Sequence, residues 1–320
     1  MSASSEALNL TLLIRLCGPS RDNGTYLLLD RVPPKSSNSY DRHRHLEDVS
    51  STTVWYYLTA SPRARAGAMS SSLSVAKKQL RTLMKSKLAD ITQESVSLQS
   101  RSVFESLKTF SPYLNAERVS IFLSMPSGEI QTDAIVRHAL SSGKQVFIPY
   151  LHKSPLGEND APSRVMDMVR LRDLQDYESM QPDKWGIPSI DPTTIKDRQR
   201  ILGGPDAHQS ESTTLDMILM PGVAFDLDSE TSQIRRLGHG RGFYDFFLQR
   251  YWAKTALLRS GQPHAVQLYG LALSEQFVSP HSGGPVPVGQ YDKNLHGLVL
   301  GNGEIKTSSD SPDTSILHRR

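Results

Sequence analysis

Residues 118–151 read RVSIFLSMPSGEIQTDAIVRHALSSGKQVFIPYL, and three local patterns follow one another there. RVSIFLSM (118–125) is a short, almost uniformly apolar run, which suits a strand buried on both faces better than a helix with one wet side. TDAIVRHALSSG (132–143) places apolar residues at helical spacing between Thr132, a candidate cap, and Gly143, a candidate stop. KQVFIPYL (144–151) is a second buried run. Strand, helix and strand in this order make a βαβ unit, whose strands lie parallel in one sheet.

The same alternation extends outward. Toward the C-terminus come apolar DMILMPGVAF (216–225), glycine-rich RLGHGRGFYD (236–245), helix-like GFYDFFLQRYWAK (242–254), and strand-like AVQLYGLAL (265–273) and HGLVL (296–300). Upstream, AKKQLRTLMKSKLADI (76–91) and ESVSLQSRSVFESLKTF (94–110) repeat their apolar residues every three to four positions, which predicts a helical pair. The fold class is therefore α/β, in three layers, with a mostly parallel sheet flanked by helices. Ligands of such sheets bind at the carboxyl ends of strands, where PSGEI, PGVAF and GHGRG fall.

Composition narrows the choices. The chain has 320 residues, 38% hydrophobic and 22% charged, with a net charge of only +3. Residues before Met69 hold eight basic and six acidic side chains, so the remainder is nearly neutral, unlike a protein that wraps a polyanion. One cysteine, Cys17, excludes intrachain disulfides and Cys-based zinc sites and suits a reducing compartment. No apolar run reaches the roughly 18 residues that span a bilayer. Residues 1–68 are polar and turn-rich, and read as a disordered extension; their arginines and serines resemble a mitochondrial transit peptide, their acids do not. Residues 69–305 are expected to form a single domain and 306–320 a flexible tail. The setting expected is the cytoplasm, with mitochondrial targeting through the extension as the other option.

In RLGHGRGFYD, Gly238, Gly240 and Gly242 allow positive φ and close approach, so that successive amides can face one anion. The following helix adds its positive end. Arg236, Arg241 and His239 supply countercharge, and Asp245 is placed to hold a divalent cation on the same phosphates. There is no GxxxxGK[ST] loop, and Phe243 occupies the third glycine position of a dinucleotide fingerprint. RGFYDFFL departs from an RNA-binding octamer at Tyr244 and Asp245. His43, His45, His138, His152, His208, His264, His281 and His318 lack metal-ligand spacing and read as surface or packing residues.

AKKQLR, SIFLSMPSGEIQTD, DMVR, WGIP, MILMPGVAFD and RLGHGRGFYD, in that order from about Ala76 to Leu300, closely resemble the 5-formyltetrahydrofolate cyclo-ligase family. The resemblance implies a NagB/RpiA/CoA transferase-like fold and ATP- and magnesium-dependent closure of 5-formyltetrahydrofolate to 5,10-methenyltetrahydrofolate. In that chemistry the formyl oxygen is phosphorylated, the ring-closing nitrogen attacks, and phosphate leaves. It implies Arg241 and Tyr244 as catalytic residues, and Lys77, Arg81, Arg236 and residues 238–244, Phe243 included, at ATP. Met125, Glu129, Met166, Met168, Trp185 and Tyr244 would line the folate, and Asp245 and Asp292 would serve magnesium. Departures are Tyr291 for a histidine, His296 for a second aspartate, Arg241 for a lysine, and longer segments at 191–213 and 227–235. The protein is then a monomer acting on small molecules, with neither nucleic acid nor membrane as partner. The alternatives are a non-catalytic RNA-binding or regulatory module, and a sugar-phosphate isomerase or CoA transferase-like enzyme.

Overall fold

The computed structural model describes residues 62–154, 162–203, 213–258, 265–279 and 284–308. The expectations for residues 1–61 and 309–320, for Cys17, and for every singled-out histidine except His138, His152, His239 and His296 lie outside the described residues.

Two helices open the described chain, α1 (Pro62–Ala89) and α2 (Gln93–Thr109), followed by the short α3 (Ser111–Asn115). Thus α1 already runs upstream of Met69. Thr92 caps α2 by accepting from the Ser95 amide. The βαβ unit is present as β1 (Arg118–Ile121), α4 (Asp133–Ser141) and β2 (Gln145–Lys153). Thr132 precedes α4, but its hydroxyl donates to the Phe122 carbonyl at 2.7 Å and caps nothing, so it ties the helix start to the end of β1. Gly143 does end the helix as expected. It takes φ 78°, its amide bonds Leu140 O, and the Lys144 amide bonds Ala139 O.

Next come β3 (Arg164–Arg170), α5 (Leu174–Glu178), a hairpin of β4 (Gln181–Pro182) and β5 (Pro188–Ser189), and a 3₁₀ turn, Pro192–Asp197. The apolar run 216–225 divides at Pro221 and Gly222 into β6 (Met217–Met220) and β7 (Ala224–Leu227). β7 pairs with β8 (Ile234–Leu237) as a separate antiparallel hairpin. The glycine loop therefore follows a hairpin strand, not a strand of the main sheet, and leads into α6 (Phe243–Leu258). The chain closes with β9 (Gln267–Ala272), β10 (Gly297–Leu300) and β11 (Ile305–Thr307).

The main sheet has the order β11-β10-β9-β6-β1-β2-β3. Its five central strands are parallel, and β11 and β3 are antiparallel edges. Lys306 and Thr307, expected in a frayed tail, belong to this edge, and Ser308 after them is buried. Val96, Val103 and Leu107 of α2 and Ile135, Val136 and Ala139 of α4 pack with one face. Phe247, Leu248 and Tyr251 of α6 pack with the other. α1 lays Leu80 and Met84 on Val223, Ala224 and Leu237 around the hairpin. From β1 the sheet grows one way through β2, and from β6 the other way through β9 and β10. Such a reversal leaves a crevice outside the carboxyl ends of the two middle strands.

Candidate active site

A cleft of about 660 Å³ occupies that crevice. Phe122, Leu123, Met125 and Glu129 follow β1, Pro221 follows β6, and Arg236 to Asp245 come from the β8–α6 connection. The β2–β3 ribbon contributes Leu151 and Met166, and the β4–β5 hairpin contributes Trp185.

The polar end is the glycine loop. Gly240 and Gly242 take φ 101° and 66°, conformations that side chains disfavour. Gly238 does not take positive φ; a Cβ there would lie 3.0 Å from Arg236 NH1, so its bareness makes room for the guanidinium. A Cβ on Gly240 would lie 3.2 Å from Arg81 Cζ. Arg236 is 7% exposed. It donates to Pro221 O and to Asp245 Oδ2, both at 3.2 Å, lies 5.4 Å over the Tyr244 ring, and leaves its buried Nε without a partner. A buried guanidinium with an unused donor beside a cleft invites an anionic ligand. His239 lines the same wall; desolvation, then the Arg236 and Arg81 charges, lowers its pKa from the imidazole norm. Arg241 is exposed on the loop and lines the cleft.

Arg81 and Lys77 lie one helical turn apart on α1, behind this loop and not on the cleft surface. Arg81 Nε donates to Gly238 O at 2.8 Å, and Lys77 Nζ pairs with Asp292 at 2.5 Å. Asp292 also accepts from the Gly289 amide, so it too stands off the cleft. Asp245 lines the cleft from the first turn of α6, and its Oδ1 accepts from the Lys293 amide at 3.1 Å. Tyr291 is 73% exposed. His296 Nδ1 accepts from the Leu268 amide at the far end of β9, which removes it from any site at the strands' carboxyl ends. Among the described residues no three His, Cys, Asp or Glu side chains gather for a metal.

The apolar end holds the residues expected at folate, with one exception. Glu129 is 5% exposed. Its Oε1 accepts from the Met125 amide, and burial pushes its pKa up to about 7 despite that bond. Gln131, unremarkable in sequence, fixes this loop by donating to Met125 O and Glu129 O. Burial raises the Tyr244 hydroxyl, and the Glu129 charge adds to the rise, so the phenol stays neutral. Met166 forms wall, but Met168 lies beneath it, fully buried and accepting from the Ser120 hydroxyl. Trp185 sits at the hairpin tip, 55% exposed. Asp183 shapes that tip by accepting from the Trp185 and Ile187 amides. Gly186, at φ 79°, presses on Pro126: a Cβ there would meet Pro126 Cγ at 2.7 Å. This contact joins the hairpin to the Glu129 loop. The cleft residues Leu151, Arg164 and Asp183 carried no motif; only the β2–β3 register, with Leu151 opposite Met166, would have signalled the first.

Comparison with known proteins gives a consistent relationship. The probable 5-formyltetrahydrofolate cyclo-ligase of Caenorhabditis elegans is 31% identical over 229 residues, covering 72% of this chain and 94% of that protein. The 5-formyltetrahydrofolate cyclo-ligase of Saccharomyces cerevisiae is 29% identical over 235 residues, covering 72% and 97%. A solved 5,10-methenyltetrahydrofolate synthetase from Mycoplasma pneumoniae aligns with 71% of this chain and 99% of its own, at 14% identity and a TM-score of 0.41. The sequence profile of the 5-formyltetrahydrofolate cyclo-ligase family matches residues 73–300, from α1 through β10 and so across every element that builds the cleft; the chain belongs to that family.

Proposed function

We propose that this chain closes 5-formyltetrahydrofolate to 5,10-methenyltetrahydrofolate with ATP, releasing ADP and phosphate. The observation that carries the reading is one cleft with two unlike ends: a cationic glycine loop with an unused guanidinium donor, and an apolar wall with one buried carboxylate. The first suits a polyphosphate, the second a flat heterocycle with amine donors.

A formyl amide is a weak electrophile. Transfer of the γ-phosphoryl group to its oxygen turns that oxygen into a leaving group; the second folate nitrogen then attacks the carbon, the carbon–oxygen bond breaks, phosphate departs and the nitrogen sheds its proton. No enzyme nucleophile is needed, so the protein contributes position and charge. Arg236 and Arg241 hold the phosphates with the loop amides. Arg81 and Lys77 keep the loop in shape from behind, through Gly238 and Asp292. Neutral Tyr244, between Arg236 and Glu129, donates to the transferring group. Glu129 accepts from the pterin amines, while Met125, Met166 and Trp185 hold the rings. Magnesium would supply further neutralisation of the phosphate charge there. Asp245 would hold it, as the cleft-lining carboxylate at the glycine loop, where it meets Arg236 at 3.2 Å, whereas Asp292 stands off the cleft, paired with Lys77. We take the working form to be a cytoplasmic monomer.

The test is direct. Purified chain with ATP, magnesium and 5-formyltetrahydrofolate should develop the near-ultraviolet absorbance of the methenyl product, and should not do so without ATP; silence from a folded preparation overturns the reading.

A further inference from the structure

The contacts that orient Arg236 come from two places. Asp245 and Tyr244, which meet its Nη2 at 3.2 Å and its guanidinium plane at 5.4 Å, both belong to α6. The Pro221 carbonyl, which accepts from its Nη1 at 3.2 Å, belongs to neither the glycine loop nor α6. That acceptor helps decide how the guanidinium is turned, and hence where its buried, unpartnered Nε points. Pro221 lies past Met220, the last residue of β6 paired with β9, and proline has no amide to donate, so the ladder of the main sheet does not fix it.

Gln276 holds this segment instead. It ends the 3₁₀ turn Ser274–Gln276 that follows β9, and its side chain is 1% exposed. Its Nε2 donates at 2.7 Å to the carbonyl of Gly222, one peptide beyond that of Pro221, while its Oε1 accepts from the Leu273 amide at 2.9 Å. Both ends of the buried amide are thus used. The turn behind it is braced in its own right: Lys87 of α1 donates to Glu275 O, Gln99 of α2 donates to Glu275 Oε2, and the Val278 amide donates to Phe225 O. A buried, satisfied amide on a braced turn is a rigid support. Gln276 does not line the cleft, so any effect it has on a ligand passes through the segment it holds.

We propose that Gln276 is a positioning residue for nucleotide: by fixing Pro221 and Gly222 it sets the direction in which Arg236 presents its guanidinium to the phosphates. That the guest is ATP rests on the cyclo-ligase reading.

Titration calorimetry of the full chain tests this, with ATP and magnesium in one series and 5-formyltetrahydrofolate alone in another. Gln276→Met keeps the length of the side chain but gives up the donor, and Gln276→Asn keeps an amide that falls one methylene short of Gly222. Each should weaken ATP binding about tenfold and leave folate binding within about twofold of wild type. In an Arg236→Lys background, where no guanidinium remains to be turned, Q276M should weaken ATP binding by less than about twofold. An unchanged ATP affinity in either folded variant overturns the proposal, as does a tenfold loss that persists in R236K. A glutamine with a merely structural role would lower the melting temperature without changing the ratio of the ATP and folate affinities, and that result overturns it too. Failure of the cyclo-ligase reading shows separately, as absent ATP-dependent methenyl absorbance from a wild type whose ATP affinity still depends on Gln276. A wild type that binds no ATP overturns both.

Discussion

Glu129 is the residue whose environment says most about the site. A carboxyl group with its pKa at about 7, against an ordinary 4.5, holds its proton in the folded protein after the unfolded chain has lost it. Its stabilising contribution is therefore full below about pH 4.5 and lost as pH rises through about 7. Glu129→Gln keeps an acceptor for the Met125 amide but does not titrate. Relative to wild type, ligand-free E129Q should gain on the order of 3 kcal/mol in unfolding free energy between pH 4 and pH 8; a difference between the two proteins that ignores pH in urea titrations would contradict the burial argument. Arg241 is the opposite case, exposed and without a hydrogen bond among the described residues. Arg241→Ala should leave the melting temperature unchanged while kcat/KM for ATP falls about 10²-fold, the scale of losing one preorganised charge. Which single residues line the cleft was readable where a motif named them, as for Glu129, Trp185 and Tyr244. Reading failed where placement depended on depth: Met166 and Met168 share a face, and nothing in VMDMVR tells that one is wall and the other core.

At the scale of the element, the glycine loop separates two reasons for lacking a side chain. Gly242 has φ 66° and open space, so Gly242→Ala should cost about 1 kcal/mol, the ordinary left-handed penalty for alanine. Gly240 has φ 101° and Arg81 against it, so Gly240→Ala should cost about 2–3 kcal/mol and also raise the KM for ATP as Arg81 is displaced from Gly238. Equal losses in thermal melts of the two variants would refute this ranking. The elements themselves were largely legible, because buried parallel strands and the helices between them have distinct apolar periods. Two boundaries were not. Residues 216–225 look like one strand by hydrophobicity, but Pro221 cannot donate to a ladder, and Gly222 leaves room for the Phe225 ring, which a Cβ there would strike. Thr132 has the chemistry of a cap, and a tertiary bond to Phe122 O outcompetes that local role.

For the whole molecule, β11 closes one side of a sheet whose neighbouring strand β10 is entirely buried. Ending the chain after Gly303 would expose the unpaired edge of Gly297–Leu300 and uncover its apolar residues. That truncation should lower the melting temperature by several degrees and promote aggregation, visible in light scattering on heating. An unchanged melt would mean that β11 is ornamental. This strand escaped sequence reading because three residues, Ile305–Thr307, give no period to detect, and their role comes from pairing alone. Long-range closure also marks the site itself. The ion pair of Lys77 with Asp292 spans 215 positions, joining the opening helix to the last connection before the final strands. A ribosome must therefore release nearly all of the cleft-building chain before the rear support of the glycine loop exists, and a half-made polypeptide would have no finished pocket in which to waste nucleotide.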